Sequence, residues 1–149
     1  MQIRKIDKDN LNKLFDISKS AFGGESWTYS QFENAIRDKN YIFFGVYSDD
    51  LISYVVANES VDDVNILSIA TSKDYLRCGY AKALIEYLTN YALLNKKTLS
   101  LEVKENNQKA ISLYKKMGFC EVCKRKNYYR DGQTAIVMFS SVAKNDSGA

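Results

Sequence analysis

The chain has 149 residues, of which 46% are hydrophobic and 26% charged, a composition typical of a single globular domain. Its net charge of +3 is too small to indicate a nucleic-acid partner, although it does not oppose an anionic ligand. The sequence contains no histidine, which excludes Ser-His-Asp and Cys-His catalytic systems and every zinc motif built on histidine. Proton transfer at neutral pH must therefore use a carboxylate, a tyrosine, a lysine or water.

The chain has three cysteines, Cys78, Cys120 and Cys123, and an odd number makes a disulfide framework unexpected. A reducing cytoplasm is the expected location, since the N-terminus MQIRKIDKDN is too polar for a signal peptide and no apolar run reaches the length of a membrane span. Cys120 and Cys123 spell C-x-x-C, but no second pair completes a zinc site, and no metal is expected. Positions three apart in a strand point to opposite faces, so these two thiols are not expected to converge.

Hydrophobic periodicity predicts the element order β-α-α-β-β-β-α-β-α-β-β, with no proline, repeat or linker to divide the chain. The expected strands are MQIRKI, YIFFGVYS, LISYVVANE, VNILSIATS, KTLSLEVKE, CEVCKRKNYY and TAIVMFSS. The expected helices are residues 9–21, the stretch that begins at WTYSQF, residues 81–92 and NNQKAISLYKKMGF. This order predicts an α/β fold with a mixed sheet, formed by one domain over residues 1–142, and a frayed tail at residues 143–149.

The second and third predicted helices have different residues at their N-terminal cap positions. In the second helix, Thr28 and Gln31 have the spacing of a capping box, and Trp27 and Phe32 are placed to form a hydrophobic staple. The third helix follows Gly79 and has no Ser, Thr, Asp or Asn at the cap position, so its first N–H groups need another acceptor. That acceptor is either water, which a lone glycine turn favours, or a bound anion. The turn lies at the carboxyl end of a strand in a parallel crossover, where open α/β sheets bind ligands.

Two side chains after this turn have both a structural and a functional interpretation. In residues 98–104, TLSLEVK, apolar side chains alternate with polar ones, so Glu102 is either solvated or faces a cleft. Tyr114 lies on the following helix at the spacing of core residues, where an aromatic usually packs. The pattern alone favours the structural interpretation for both.

The chain resembles the GCN5-related N-acetyltransferase (GNAT) superfamily, and within it the RimI-like ribosomal-protein-alanine N-acetyltransferases, in four segments: WTYSQF, ILSIATSKDYLRCGYAKALI, LSLEVKENNQKAISLYKKMGF and KRKNYYRDGQTAIVM. They cover most of the chain, and the run LEV-x-x-x-N-x-x-A-x-x-L-Y-x-x-x-GF is the most specific. Two positions depart from the family pattern: Leu76 replaces Gln or Arg, and Lys73 replaces a common proline. The resemblance implies a mixed, mostly antiparallel sheet, flanked by helices, with one parallel strand pair splayed at the cofactor site.

The resemblance also implies that the glycine turn wraps the pyrophosphate of acetyl-coenzyme A, the acetyl donor. The implied cofactor contacts are Ile69, Ala70, Thr71, Arg77, Cys78, Gly79, Tyr80, Ala81, Lys82 and Asn107. Asn107 has an alternative role as the N-cap of its helix, and one side chain cannot fully serve both. The implied mechanism is direct amine attack on the thioester, with Glu102 as general base through water and Tyr114 as general acid.

The implied acceptor is the N-terminal alanine of a small-subunit ribosomal protein. The KRKNYY and Trp27 segments are expected to line the site that binds this peptide. A cytoplasmic monomer is expected, with no membrane partner and no direct nucleic-acid binding. Three alternatives stay open: an acetyltransferase for other protein or small-molecule amines, a ping-pong enzyme that uses Cys78, and a coenzyme A-binding module without turnover. The last is motivated by Leu76 in the glycine turn.

Overall fold

The computed structural model describes residues 1–142, so the predicted tail at residues 143–149 lies outside the described residues. The strands are β1 (Gln2–Lys5), β2 (Tyr41–Tyr47), β3 (Leu51–Glu59), β4 (Asp63–Thr71), β5 (Thr98–Lys104), β6 (Phe119–Arg125) and β7 (Ala135–Ser140). The helices are α1 (Leu11–Phe22), α2 (Tyr29–Ile36), α3 (Tyr80–Leu94) and α4 (Gln108–Lys116), with short 3-10 turns at Lys8–Asn10, Gly23–Glu25 and Lys73–Tyr75. The predicted element order is confirmed. None of the described helices is both long and apolar enough to cross a membrane.

The seven strands form one sheet in the order β1-β2-β3-β4-β5-β7-β6. β4 and β5 are parallel, with Asp63–Ile66 opposite Thr98–Leu101, and α3 connects them as the predicted crossover. The pairs β1–β2, β2–β3, β5–β7 and β6–β7 are antiparallel. The mixed, mostly antiparallel fold class is therefore confirmed. The parallel ladder covers only the first part of β4, so Leu67–Thr71 continue past it.

The chain divides into two compact units, the first made of Met1–Glu59 and Leu67–Ile85 and the second of Ser60–Ile66 and the chain from Glu86 onward. In the first unit, one apolar face of α1 and one of α2 pack on β2 and β3. That core includes Leu11, Leu14, Ile17, Phe32, Ala35, Phe43, Leu51, Tyr54 and Val56. In the second unit the buried side chains include Leu88, Ala92, Leu99, Leu101, Ile111, Phe119 and Met138.

The start of α2 has both predicted local contacts. Thr28 Oγ1 accepts from the Gln31 N–H at 3.1 Å, and Gln31 Oε1 accepts from the Thr28 N–H at 2.8 Å, which completes the capping box. The Trp27 and Phe32 rings lie 5.1 Å apart between centroids, as the hydrophobic staple requires. These contacts fix the Trp27 segment on the helix that follows it.

The prediction that Cys120 and Cys123 face opposite sides of the sheet is wrong, because β6 contains a bulge at Val122. Cys120 lies opposite Phe139 and Cys123 opposite Val137, and these two partners share one face of β7. The extra residue shifts the alternation by one position, so both thiols lie on the same face. Both are free and exposed. Within residues 1–142, His, Cys, Asp and Glu side chains do not gather in groups of three or more that could hold a metal ion.

Candidate active site

The turn before α3 is held at its start by backbone hydrogen bonds and then adopts an unusual backbone. The Ser72 N–H donates to the Ile52 carbonyl at 2.8 Å, and the Tyr75 N–H donates to the Ser72 carbonyl at 2.9 Å. Arg77 and Gly79 then have φ values of 63° and 84°, both in the left-handed region. For Arg77 this conformation costs about 1–2 kcal/mol. Strain of this kind is typical of ligand-binding turns, where it directs backbone N–H groups toward one side.

The outer side of this turn is open and carries positive charge. A Cβ atom built on Gly79 would meet no other atom within 4 Å. Of the predicted contact residues in the turn, Arg77, Cys78, Gly79 and Lys82 are exposed, and Tyr80 and Ala81 are half-buried. The Ala83 N–H donates to the Gly79 carbonyl at 3.0 Å, so regular helical bonding begins directly after the turn. The arrangement has the space, the N–H groups and the two cations that a diphosphate needs.

The carboxyl end of β4 is fixed through Ser53 of β3. Ser53 Oγ lies 3.0 Å from the Ala70 carbonyl oxygen, to which it donates, and 2.9 Å from Thr71 Oγ1. Ala70 is buried, whereas Ile69 and Thr71 are half-buried. The three predicted contact residues of this strand therefore lie on a rigid segment that stays partly accessible.

Among the residues that the structure describes, none is placed to activate Cys78 as a nucleophile. Its Sγ lies 3.6 Å from the Leu76 carbonyl oxygen, and that is the only hydrogen bond it makes within residues 1–142. An acyl-enzyme route needs a base next to the thiol. The structure therefore favours direct transfer over the ping-pong alternative.

Glu102, on β5 in the second unit, is not a solvated surface carboxylate, because its side chain is only 21% exposed. Its Oε1 accepts from the Tyr128 hydroxyl at 3.4 Å, a long hydrogen bond. Its Oε2 is buried and accepts no hydrogen bond from any described residue, although Arg125 Nε lies 3.7 Å away. A buried carboxylate oxygen without a donor is a place where a water or a substrate N–H completes the site.

The β6–β7 loop that carries Tyr128 is anchored to the end of β5. Lys104 Nζ donates to Asp131 Oδ2 at 2.9 Å and lies 5.2 Å from the Tyr129 ring centroid. The Lys104 hydrogen bond, with the Gln133 N–H, holds the pKa of Asp131 below its usual value. The loop therefore has a defined position beside Glu102.

Tyr114 has a hydroxyl group that is available to donate. Its ring packs 5.7 Å from the Phe119 ring, and the residue is half-buried. Burial raises the pKa of Tyr114 above its ordinary value of about 10. Within the described part of the chain, its hydroxyl forms no hydrogen bond.

Asn107 is the N-cap of α4, as its alternative role required. Its Oδ1 accepts from the Ala110 N–H at 3.2 Å. The Nδ2 group donates to no residue of the described chain. The cap thus uses the carbonyl end of the amide and leaves the donor end for a ligand.

Comparison with known proteins identifies the family. The acetyltransferase (GNAT) family profile matches residues 9–119. The chain belongs to the GNAT family. This membership confirms the resemblance read from the glycine turn and the LEV…LY…GF run, and the chain is an N-acetyltransferase.

Individual relatives of this GNAT chain agree with that assignment. The chain is 32% identical over 142 residues to the [ribosomal protein bS18]-alanine N-acetyltransferase of Escherichia coli strain K12, covering 91% of this chain and 94% of the relative. The crystal structure of the Escherichia coli ribosomal-protein-S18-alanine N-acetyltransferase superposes with a TM-score of 0.86 at 26% identity, covering 99% and 97% of the two chains. An aminoglycoside 6'-N-acetyltransferase solved with coenzyme A shares the fold alone, at 14% identity, a TM-score of 0.79 and coverage of 95% and 97%.

The predicted residues of the GNAT chain fall into two sets, one in each unit. The turn and the β4 end are in the first, and Glu102, Asn107 and Tyr114 are in the second. The sequence did not indicate Arg125 and Tyr128 as neighbours of Glu102. Without the Val122 bulge, Lys124 rather than Arg125 would share the face of Glu102. No sequence signal marks that bulge.

Proposed function

We propose that this GNAT enzyme transfers an acetyl group from acetyl-coenzyme A to the N-terminal alanine of a small-subunit ribosomal protein. The acceptor follows from the names of its relatives, which act on ribosomal protein bS18. The observation that carries the chemistry is the half-buried Glu102 carboxylate, which keeps one oxygen without a hydrogen-bond donor among the described residues. In a chain without histidine, this group is the strongest candidate for the base. We assign the whole of residues 1–142 to one acetyltransferase domain.

The first unit would hold the acetyl donor. The backbone N–H groups around Gly79 bind its pyrophosphate, with added charge from Arg77 and Lys82. The donor end of the Asn107 amide is also assigned to the cofactor. Pantetheine contains two amides, which pair with a strand as a peptide would, along Ile69–Thr71 past the parallel ladder. The left-handed backbone, the open space at Gly79 and the two exposed cations support this assignment.

The reaction is a direct substitution at the thioester carbon. The protonated α-amine, which titrates near pH 8, gives a proton through water to Glu102, and the neutral amine then forms the new C–N bond. The nitrogen releases its second proton to water. The carbonyl oxygen becomes an oxyanion, which the backbone N–H of Ala70 or Thr71 stabilises. As the C–S bond breaks, Tyr114 protonates the leaving thiolate. The Trp27 segment and the KRKNYY segment are each assigned to binding of the acceptor peptide.

The glycine turn is tested by coenzyme A binding. Coenzyme A should raise the melting temperature of the parent. At a concentration of 100 times Kd, it should stabilise the folded state by about 2.7 kcal/mol. Gly79→Asp should abolish most of that shift, because it places bulk and negative charge in the open space. Gly23→Asp, at an exposed glycine that also has a positive φ, 57°, and where a Cβ also meets nothing within 4 Å, is the matched control and should keep the shift. An unchanged shift in Gly79→Asp would disprove the pyrophosphate assignment.

The two ends of the Asn107 amide can be tested separately. Asn107→Ser keeps an oxygen for the Ala110 N–H, so the free energy of unfolding should stay within a few tenths of a kcal/mol of the parent. It lacks the amide donor, so the Kd for coenzyme A should rise about 3- to 10-fold. Asn107→Ala should lose about 1 kcal/mol of stability as well. If Asn107→Ser binds coenzyme A as tightly as the parent, the residue is a helix cap alone.

Tyr114→Phe removes one hydroxyl and little packing. As general acid its loss should lower kcat on the order of 10²–10⁴-fold, while the Kd for coenzyme A stays near that of the parent. Because burial raises the pKa of Tyr114, this acid should keep its proton, and its contribution to kcat, up to at least about pH 10. Full turnover by the variant would return Tyr114 to a purely structural role.

The base is tested with a pH–rate profile on a peptide that begins with alanine and contains one internal lysine. Glu102→Gln should lower kcat/KM steeply near neutral pH and recover partly above about pH 8, where the amine deprotonates unaided. Glu105→Gln is the matched control, since it removes a half-exposed carboxylate that pairs with Lys124 at 2.8 Å, and it should follow the parent. Mass spectrometry of the product should place the acetyl group on the alanine.

Each contrary result of this experiment has a separate meaning. Parallel profiles for Glu102→Gln and the parent would remove Glu102 from the mechanism. Acetylation of the internal lysine would favour the alternative of another amine substrate. Coenzyme A binding without turnover on any amine would favour the binding module.

A further inference from the structure

The charge of this chain is concentrated in one segment. Residues 104–130 contain eight Lys or Arg and two Asp or Glu, so this segment carries +6, whereas the whole chain carries +3. The remaining residues together are therefore negative. The net charge, on which the expectation of no nucleic-acid partner was based, hides this distribution.

Five cations of the segment are exposed and form no ion pair within residues 1–142: Lys109, Lys115, Lys116, Lys126 and Arg130. We call them the α4–β6 basic surface. The other three cations are engaged, since Lys104 pairs with Asp131, Lys124 with Glu105 and Arg125 with Glu102. Like charges repel, so an unpaired set costs stability unless a polyanion binds it.

Two contacts align α4, which carries Lys109, Lys115 and Lys116, with β6, whose last residue directly precedes Lys126. At one end Lys124 Nζ lies 2.8 Å from Oε2 of Glu105, which is three residues before the start of α4. At the other end the Tyr114 ring packs against the Phe119 ring. β6 is the edge strand of the sheet, and apart from Phe119 its residues are exposed. The lysines of α4 extend over about 10 Å along the helix axis, from Lys109 to Lys116, enough for several successive phosphates.

We propose that the α4–β6 basic surface binds RNA, so that the enzyme engages its ribosomal-protein acceptor in the company of RNA. This inference rests on the proposed function for its biological setting, since a ribosomal protein assembles on RNA. A protein partner with acidic side chains would also be attracted to lysines. RNA is favoured because the Tyr128 side chain is 47% exposed, has the Arg125 guanidinium 5.5 Å from its ring centroid, and is two residues from both Lys126 and Arg130 in the chain. Bases stack on aromatic rings and guanidinium planes.

The test is fluorescence anisotropy of a labelled single-stranded RNA of about 20 nucleotides, titrated with the full chain at several salt concentrations. Five phosphate contacts predict a slope of log K against log salt of about −3.5, which is about a 100-fold loss of affinity between 50 and 200 mM salt. The double variant Lys109→Glu/Lys116→Glu should bind RNA at least about tenfold more weakly than the parent. The magnitude of its salt slope should be smaller by roughly 1.4. The matched control, Lys19→Glu/Lys39→Glu, makes the same charge change at exposed lysines of the first unit and should bind as the parent does.

Two further titrations identify the source of any binding. Saturating coenzyme A should leave the Kd for RNA within twofold of its value without coenzyme A. Displacement of RNA by coenzyme A would show instead that RNA occupies only the cofactor phosphate site. Polyglutamate of matched length should compete weakly, and competition equal to that of RNA would indicate an acidic protein partner instead. An equal loss of RNA affinity in the α4 double variant and in the control double variant would overturn the proposal. So would the absence of RNA binding by the parent at low salt.

The outcome is independent of the proposed acetyltransferase reaction, because RNA binding is read without turnover. The α4 double variant should still acetylate the free alanine peptide, since Lys109 and Lys116 have no part in the reaction site. If the peptide is acetylated and RNA does not bind, only this inference fails. If RNA binds and no amine is acetylated, only the proposed function fails.

Discussion

The half-buried carboxylate of Glu102 is the constraint on which the proposed chemistry depends. An ionised carboxylate away from water costs several kcal/mol unless it is paired and hydrogen-bonded. Its contacts here are weak ones, since the Tyr128 hydroxyl is 3.4 Å away and Arg125 Nε is 3.7 Å away on a side chain that is 57% exposed. An exposed ion pair of this length contributes at most about 1 kcal/mol. The carboxylate is therefore held in position but not saturated, which suits a group that must accept a proton.

The neighbours of Glu102 are set by a feature that sequence periodicity cannot show. The bulge at Val122 depends on how β6 pairs with β7, two strands joined by a loop, and no glycine or proline marks it. One extra residue places Arg125 on the face of Glu102 and moves Lys124 to Glu105. The same shift overturned the expectation for the two cysteines. Alternation predicts faces correctly only while the register is uninterrupted.

Features that depend on near neighbours in the chain were predictable from the sequence. The capping box at Thr28 joins residues three positions apart, and the apolar stripe of α3 needs only the helical repeat. Leu84, Ile85, Leu88 and Ala92, which recur at helical spacing in the sequence, are fully buried. The glycine turn was located in the same way, but its left-handed Arg77 was not, since arginine has no preference for that backbone. The N-cap of α4 is also a local feature, since the Asn107 side chain accepts from the N–H three residues later, at Ala110.

Net charge misleads for a related reason, since it sums over distances at which charges no longer interact. At physiological salt, charges are screened over about 8 Å, so a ligand on α4 responds to the side chains around α4 and β6. Those are mainly unpaired cations, and the acidic residues elsewhere in the chain do not cancel them. The end of β6 joins the two functions proposed here: Arg125, its last residue, lies 3.7 Å from Glu102, and the adjacent Lys126 belongs to the basic surface. A polyanion bound at that surface would hold its associated protein chain next to the base.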